Sequence, residues 1–200
     1  MIRILCADIS SADMNIYRRL YERAAPERKA RADRYIRQED KLRCVTADAL
    51  LKIILGTSDY EIEKNRFGKP RIKDKQGFCY NISHSGRYVV IAWGTTEIGV
   101  DVQQHENINH DAIAKRFFTP DEYAYAQGNP QRFYEIWTGK ESYLKYTGRG
   151  LCKELYSFSV LRPEGKIRYL HHVLPGGYSL SLCTTELESE FELLDILRLL

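Results

Sequence analysis

Between residues 78 and 103 the apolar positions recur with a period of two, which forces extended structure into the middle of a chain whose flanks read as helix. Residues 79–84 read as a strand, Ser85-Gly86-Arg87 as a turn, and residues 88–93 as a second strand. Gly94-Thr95-Thr96-Glu97 turns again into a third strand over 98–103, so a three-stranded meander is expected. In that third strand Ile98, Val100 and Val102 share one face, while Gly99, Asp101 and Gln103 share the other. Asp101 and Gln103 therefore stand side by side, with a glycine leaving room next to them.

The flanks complete an α+β pattern. Residues 2–9 read as a first strand; Arg3 and Asp8 interrupt its apolar run and argue against a signal peptide. Basic helical sequence follows, with Pro26 suited to a helix start and Gly56 to a stop. Ala30, Tyr35, Leu42, Val45, Ala49 and Ile53 recur between them at helical spacing. Gly68 and Pro70 make the stretch 65–72 a loop. Thr119-Pro120-Asp121-Glu122 has the form of a capping box, and Asn129-Pro130 opens a helix that Gly148 ends. On that helix Trp137, Glu141 and Lys145 fall at four-residue spacing and share a face. Strand-like segments are expected around 156–161, 166–173 and 178–183, with an alternating acidic edge strand over 186–192. No low-complexity linker divides the chain, so two joined α/β lobes are expected rather than independent domains.

Charge is distributed unevenly. The net charge is only +3, but residues 18–43 hold ten Lys or Arg against five acids, which leaves +5 there and −2 elsewhere. A phosphate-bearing partner fits such a field, as does a solvated helix face laced with ion pairs. Nucleic acid is not expected, because no base-reading motif accompanies the charge. No apolar run approaches the roughly 20 residues that span a bilayer, so no membrane partner and a cytoplasmic location are expected. Cys6, Cys44, Cys79, Cys152 and Cys183 are scattered and odd in number, which suits buried, reduced thiols rather than a disulfide framework. Neither His105/His110 nor His171/His172 has metal-ligand spacing.

Chemistry is concentrated in an acid on a strand, Asp101, an acid on a helix, Glu141, and scattered cations with a histidine. Few hard oxygen ligands suit magnesium beside a phosphate-bearing substrate. On spacing alone Asp101 reads more readily as a turn or ion-pair residue, and Glu141 as helix decoration.

Four fragments alter that balance: Phe67-Gly68-Lys69-Pro70, Asn81-Ile82-Ser83-His84-Ser85, Ile98-Gly99-Val100-Asp101-Val102, and Trp137-Thr138-Gly139-Lys140-Glu141-Ser142-Tyr143-Leu144-Lys145. With Arg116-Phe117-Phe118-Thr119 and Gly148-Arg149-Gly150-Leu151, they closely resemble, in that order, the long, single-chain 4′-phosphopantetheinyl transferases associated with surfactin synthetase. The resemblance spans about residues 26–160 and fades at both ends.

It implies a pseudo-twofold fold of two similar lobes, residues 1–98 and 99–200, with coenzyme A as the substrate bound between them. Carried over by position, Arg28, Arg31 and Arg43 would hold its 3′-phosphate through guanidinium forks. Lys69, Pro70, Ser83 and His84 would contact the nucleotide and phosphates from the opposite wall. Asp101 and Glu141 would bind magnesium, or manganese in its place, with Lys145 close to the same phosphates. Glu141, Lys145 and His84 are the implied catalytic residues, Glu141 as general base. Gln103 stands where many relatives carry a second acid; its carbonyl still ligates a cation but brings no charge, so weaker metal affinity is expected. The implied protein partner is an apo acyl or peptidyl carrier protein, and a chain holding both lobes is expected to act as a monomer.

Overall fold

The computed structural model describes residues 1–149 and 155–200, which leaves Gly150, Leu151 and Cys152 outside the described residues. It is a mixed α+β architecture. Strand β1 (Ile2–Asp8) lies inside a four-stranded sheet of order β4-β5-β1-β9. There it runs antiparallel to β5 (Tyr88–Gly94) and parallel to β9 (Ser189–Asp195). β4 (Cys79–Ser85) pairs with β5 and forms one edge. A second sheet, of order β6-β8-β7, joins β6 (Gly99–Gln104), β8 (Tyr178–Thr184) and β7 (Arg168–Leu174), all antiparallel.

Both faces of β1 are buried, which explains its nearly continuous apolar run. Leu5 and Ala7 pack with Leu20, Val45, Leu50 and Leu51 from helices α1 (Met14–Arg23) and α3 (Gln38–Leu55). Ile2, Ile4 and Cys6 pack against Val100, Val102, Leu180 and Leu182 of the second sheet. Helix α2 (Pro26–Ala32) precedes α3, so the helical spacing read across 26–56 divides into two helices around an exposed Ile36. Gly56 ends α3 in the left-handed region, at φ 68°. A small hairpin of β2 (Ile62–Lys64) and β3 (Pro70–Ile72) carries the Phe67-Gly68 loop.

On the far face of the second sheet lie α4 (His110–Phe117), α5 (Pro120–Ala126) and α6 (Pro130–Thr147). The capping box at Thr119 forms, and Gly148 closes α6 at φ 60°. Phe118 is buried and stacks on Phe133, while Phe117 meets Trp137 edge-on. Lys140 and Glu122, both fully buried, pair at 2.7 Å and anchor α6 to α5. Lys140 also donates to the carbonyls of Leu155 and Phe158, and Glu122 accepts from Val160 N–H.

That network corrects one sequence expectation. Residues 156–161 are not a strand: a 3-10 turn over Leu155–Ser157 leads into irregular backbone whose polar groups bond to Lys140 and Glu122 instead of a neighbouring strand. The meander is corrected as well. β6 leaves β5 and starts the second sheet, because Gly99 brings its backbone against α6, where a Cβ would lie 1.9 Å from Ser142 O. Strand β9 belongs to the first sheet, so the last residues of the chain pack against the first. Among the described residues, Cys6, Cys44, Cys79 and Cys183 are free thiols. No helix among them is long and apolar enough to cross a membrane.

Candidate active site

β4 is the strand that organises the site, because its two faces do different work. Asn81, Ser83 and Ser85 turn toward β6 and accept its alternate backbone N–H groups. Asn81 Oδ1 takes Val100 N at 2.9 Å, Ser83 Oγ takes Val102 N at 3.2 Å and Ser85 Oγ takes Gln104 N at 3.0 Å. Three side chains thus stand in for a backbone ladder and join the two sheets edge to edge. On the other face His84 lies among cations from α2 and α3.

The β6 residues between those N–H groups point into the gap. Asp101 is 7% exposed, and its Oδ1 accepts from Ser83 Oγ at 2.9 Å and Lys145 Nζ at 2.7 Å. Lys145 Nζ also donates to Ser83 Oγ at 2.9 Å. Lys145 comes from α6 one turn after Glu141, which is one turn after Trp137. All three line a cavity of about 340 Å³ together with Ser83, His84, Asp101 and Gln103. A second cavity of about 270 Å³, lined by Phe67, Gly68, Lys69, Pro70 and Asn81, shares Ile82, Glu141 and Lys145 with it.

Electrostatics distinguish the ionisable groups. The Glu141 carboxyl is held above the ordinary glutamate range, first by burial and then by the Asp101 charge, with Lys145 opposing. His84 keeps solvent access, yet its pKa lies below the usual imidazole value. Desolvation by its surroundings is the main cause, followed by Arg43, Lys145 and Arg31, while Asp40 opposes.

The three candidate arginines do not form one cluster. Arg28 and Arg31 line a cavity of about 540 Å³ with Tyr60 and Lys64. Arg43 lies toward His84, pairing with Asp40 and donating to Gly86 O, both at 2.7 Å. Arg31 connects the groups, since its charge also reaches His84. Lys69 lines its cavity with its stem, while its ammonium donates to Glu97 at 2.7 Å, Tyr146 O at 2.9 Å and Ile98 O at 3.0 Å. The remaining histidines pack elsewhere: His105 bonds Ser179, His110 lies tilted against Phe133, His171 bonds Ser181 and His172 stacks on Phe191.

Several supporting residues were not evident from sequence. Asn65 Oδ1 accepts from Phe67 N and Lys69 N, both at 2.9 Å, and its amide donates to Gly148 O. An asparagine opening a Gly-Pro loop is the signal that could have found it. Glu97, which holds both Lys69 and Arg71, carries no such local signal.

A family model described as the 4′-phosphopantetheinyl transferase superfamily matches residues 97–193. The chain is 36% identical over 155 residues to 4′-phosphopantetheinyl transferase Sfp of Bacillus subtilis (strain 168), covering 72% of this chain and 69% of that protein. It belongs to the 4′-phosphopantetheinyl transferase superfamily. A further transferase of Bacillus subtilis, ffp, is 31% identical over 188 residues, covering 82% of this chain and 84% of its own length. Psf-1 of Bacillus pumilus is 28% identical over 212 residues, covering 92% and 90%. Phosphopantetheinyl transferases are therefore the enzyme class of this chain, and the superfamily uses coenzyme A as substrate.

The metal that a phosphopantetheinyl transferase of this type implies can be tested against the donor set. Among the described residues no group of three or more His, Cys, Asp or Glu forms a ready metal cage. Asp101 and Glu141 nevertheless share one cavity with the Gln103 amide, and the charge of Asp101 disfavours the ionised form of Glu141. Two mutually repelling carboxylates and one amide oxygen suit a hard divalent cation that keeps several waters. The residues fit the ion.

Proposed function

We propose that this chain transfers the 4′-phosphopantetheine arm of coenzyme A to a serine of an apo acyl or peptidyl carrier protein and releases 3′,5′-ADP. The observation that carries the reading is the convergence of Asp101, Glu141, Lys145, Ser83 and His84 on one cavity between two sheets. The arginine-lined cavity formed by α2 supports it from the other side.

In this reading Arg28 and Arg31 hold the 3′-phosphate, with Arg43 toward His84. The Gly68-Lys69-Pro70 loop supplies a wall for the nucleotide, and Lys69 keeps that wall in place. Ser83, His84 and Lys145 face the pyrophosphate. Magnesium, or manganese, would be held by Asp101, Glu141 and Gln103 and would supply charge neutralisation on the pyrophosphate. The carrier serine oxygen forms a new bond to the phosphorus bearing pantetheine, and the bond from that phosphorus to 3′,5′-ADP breaks. Glu141, which would also hold the metal, accepts the serine proton through one water rather than directly. Lys145 offsets charge that grows on the phosphate oxygens. Positioning carries much of the rate, as in other phosphoryl transfers.

The lobes are read as residues 1–98 and 99–200, related by a pseudo-twofold, with the terminal strand returned to the first. With both walls of the cleft in one chain, a cytoplasmic monomer suffices.

The test is intact-mass analysis of an apo-carrier incubated with the protein, coenzyme A and magnesium. A gain of about 340 Da, the phosphopantetheine mass expected of this transfer, should appear and be abolished by EDTA and by Asp101→Ala. A carrier left unmodified while coenzyme A still binds would reject transferase activity on that carrier class. A gain that persists undiminished in Asp101→Ala would reject the site.

A further inference from the structure

A carboxylate sits at the centre of the first lobe where folding alone does not call for one. Asp48, on α3 between Ala47 and Ala49, is 1% exposed. A buried charge is costly unless paired, and well-packed apolar residues often serve stability as well or better. The groups that Asp48 gathers give it a purpose. Its Oδ2 accepts from Lys52 Nζ at 2.8 Å and from Ala25 N at 3.2 Å. Its Oδ1 accepts from Tyr60 Oη at 2.7 Å and lies 3.8 Å from Arg28 Nε.

Ala25 is the N-cap of α2 and offers no capping side chain, and Arg28 is the third residue of that helix. At that position a glutamate or glutamine usually reaches back to the N-cap N–H. An arginine cannot, and a cation in the first turn also runs against the helix dipole. Asp48 takes over the missing bond from a different helix and pairs with the offending arginine. A residue that breaks a local rule and is compensated from elsewhere marks a functional position. The guanidinium of Arg28 has Asp48 beside Nε at 3.8 Å and also reaches the Cys44 thiol. Both carboxylate and guanidinium line the cavity of about 540 Å³ that also holds Arg31.

We propose that Asp48 is a positioning residue that aims Arg28 at the 3′-phosphate of coenzyme A, and so sets the preference for coenzyme A over 3′-dephospho-coenzyme A. The inference rests on the reading that Arg28 holds that phosphate. Asp48 itself touches no substrate. It holds the Nε side of Arg28, and in the proposal this fixes the guanidinium at the cavity wall, where it would donate to a phosphate.

The experiment compares kcat/KM for coenzyme A and for 3′-dephospho-coenzyme A, with an apo acyl carrier protein as acceptor, in the full chain. Arg28→Ala is expected to lower the preference about tenfold, the loss of one charge-assisted phosphate contact. Asp48→Asn, and Asp48→Ser as a second variant if the first does not fold, should lower it about three- to tenfold through KM for coenzyme A, and should add nothing in the Arg28→Ala background. A preference unchanged by Asp48→Asn while Arg28→Ala reduces it overturns the positioning role and leaves the phosphate site standing. Equal losses on both substrates also overturn it, since they indicate a purely structural residue. If Arg28→Ala leaves the preference unchanged as well, the phosphate site itself falls.

Discussion

Glu141 is the acid of the candidate site that its surroundings hold away from ordinary carboxylate behaviour. Burial and the charge of Asp101 raise its pKa from the usual value of 4.5. The native state then holds a proton that the unfolded chain has released, so stability falls as pH rises through that interval. Metal-free Glu141→Gln escapes this penalty. Its melting temperature in EDTA should therefore exceed that of the wild type at pH 7, the difference vanishing below about pH 4, where both states of the wild type are protonated. A wild type that melts higher than the variant in EDTA at pH 7 would contradict the assignment. Glu141 and Lys145 were legible in sequence because a shared helix face follows from four-residue spacing. Lys69 was legible as a motif, but its ammonium partners were not, because they lie 28 to 77 positions away. Asp48 carries no signal in the sequence, since nothing local distinguishes a buried acid from an exposed one.

At the scale of elements, the polar alternation of β4 is what joins the sheets. Periodicity told which side chains share a face, but not what that face meets. Asn81 and Ser83 read as strand residues and Ser85 as the start of a turn, and nothing in that reading shows that all three are acceptors for β6. Asn81→Ala would leave a buried N–H of Val100 unpaired, at a cost of about 1–3 kcal/mol. Urea unfolding should show that loss, and the magnesium requirement should rise as β6 loosens beneath Asp101. Ser85→Ala, at the half-buried end of the ladder, should cost less. An Asn81→Ala variant of wild-type stability would show that the side-chain ladder contributes nothing. The capping box, the α6 boundaries and most strands followed from local chemistry; the change of sheet at β6 did not, because it depends on Gly99 meeting α6.

At the scale of the molecule, four layers stack: α1–α3, the first sheet, the second sheet, and α4–α6. Cations reach the cleft from the first helical layer, Ser83 and His84 from the edge of the first sheet, Asp101 and Gln103 from the second, and Glu141 and Lys145 from the last. No single layer contains the site, so its assembly depends on the packing between sheets and on β9 closing the chain against β1. In the proposed reading this cleft performs phosphopantetheine transfer with Glu141 as its base. That reading is tested most directly by single-turnover transfer to an apo-carrier with Glu141→Gln at saturating coenzyme A, with coenzyme A binding measured alongside. The variant should bind coenzyme A nearly as well as the wild type and transfer about 10²–10⁴-fold more slowly. A variant that binds coenzyme A and still transfers at close to the wild-type rate would contradict the account.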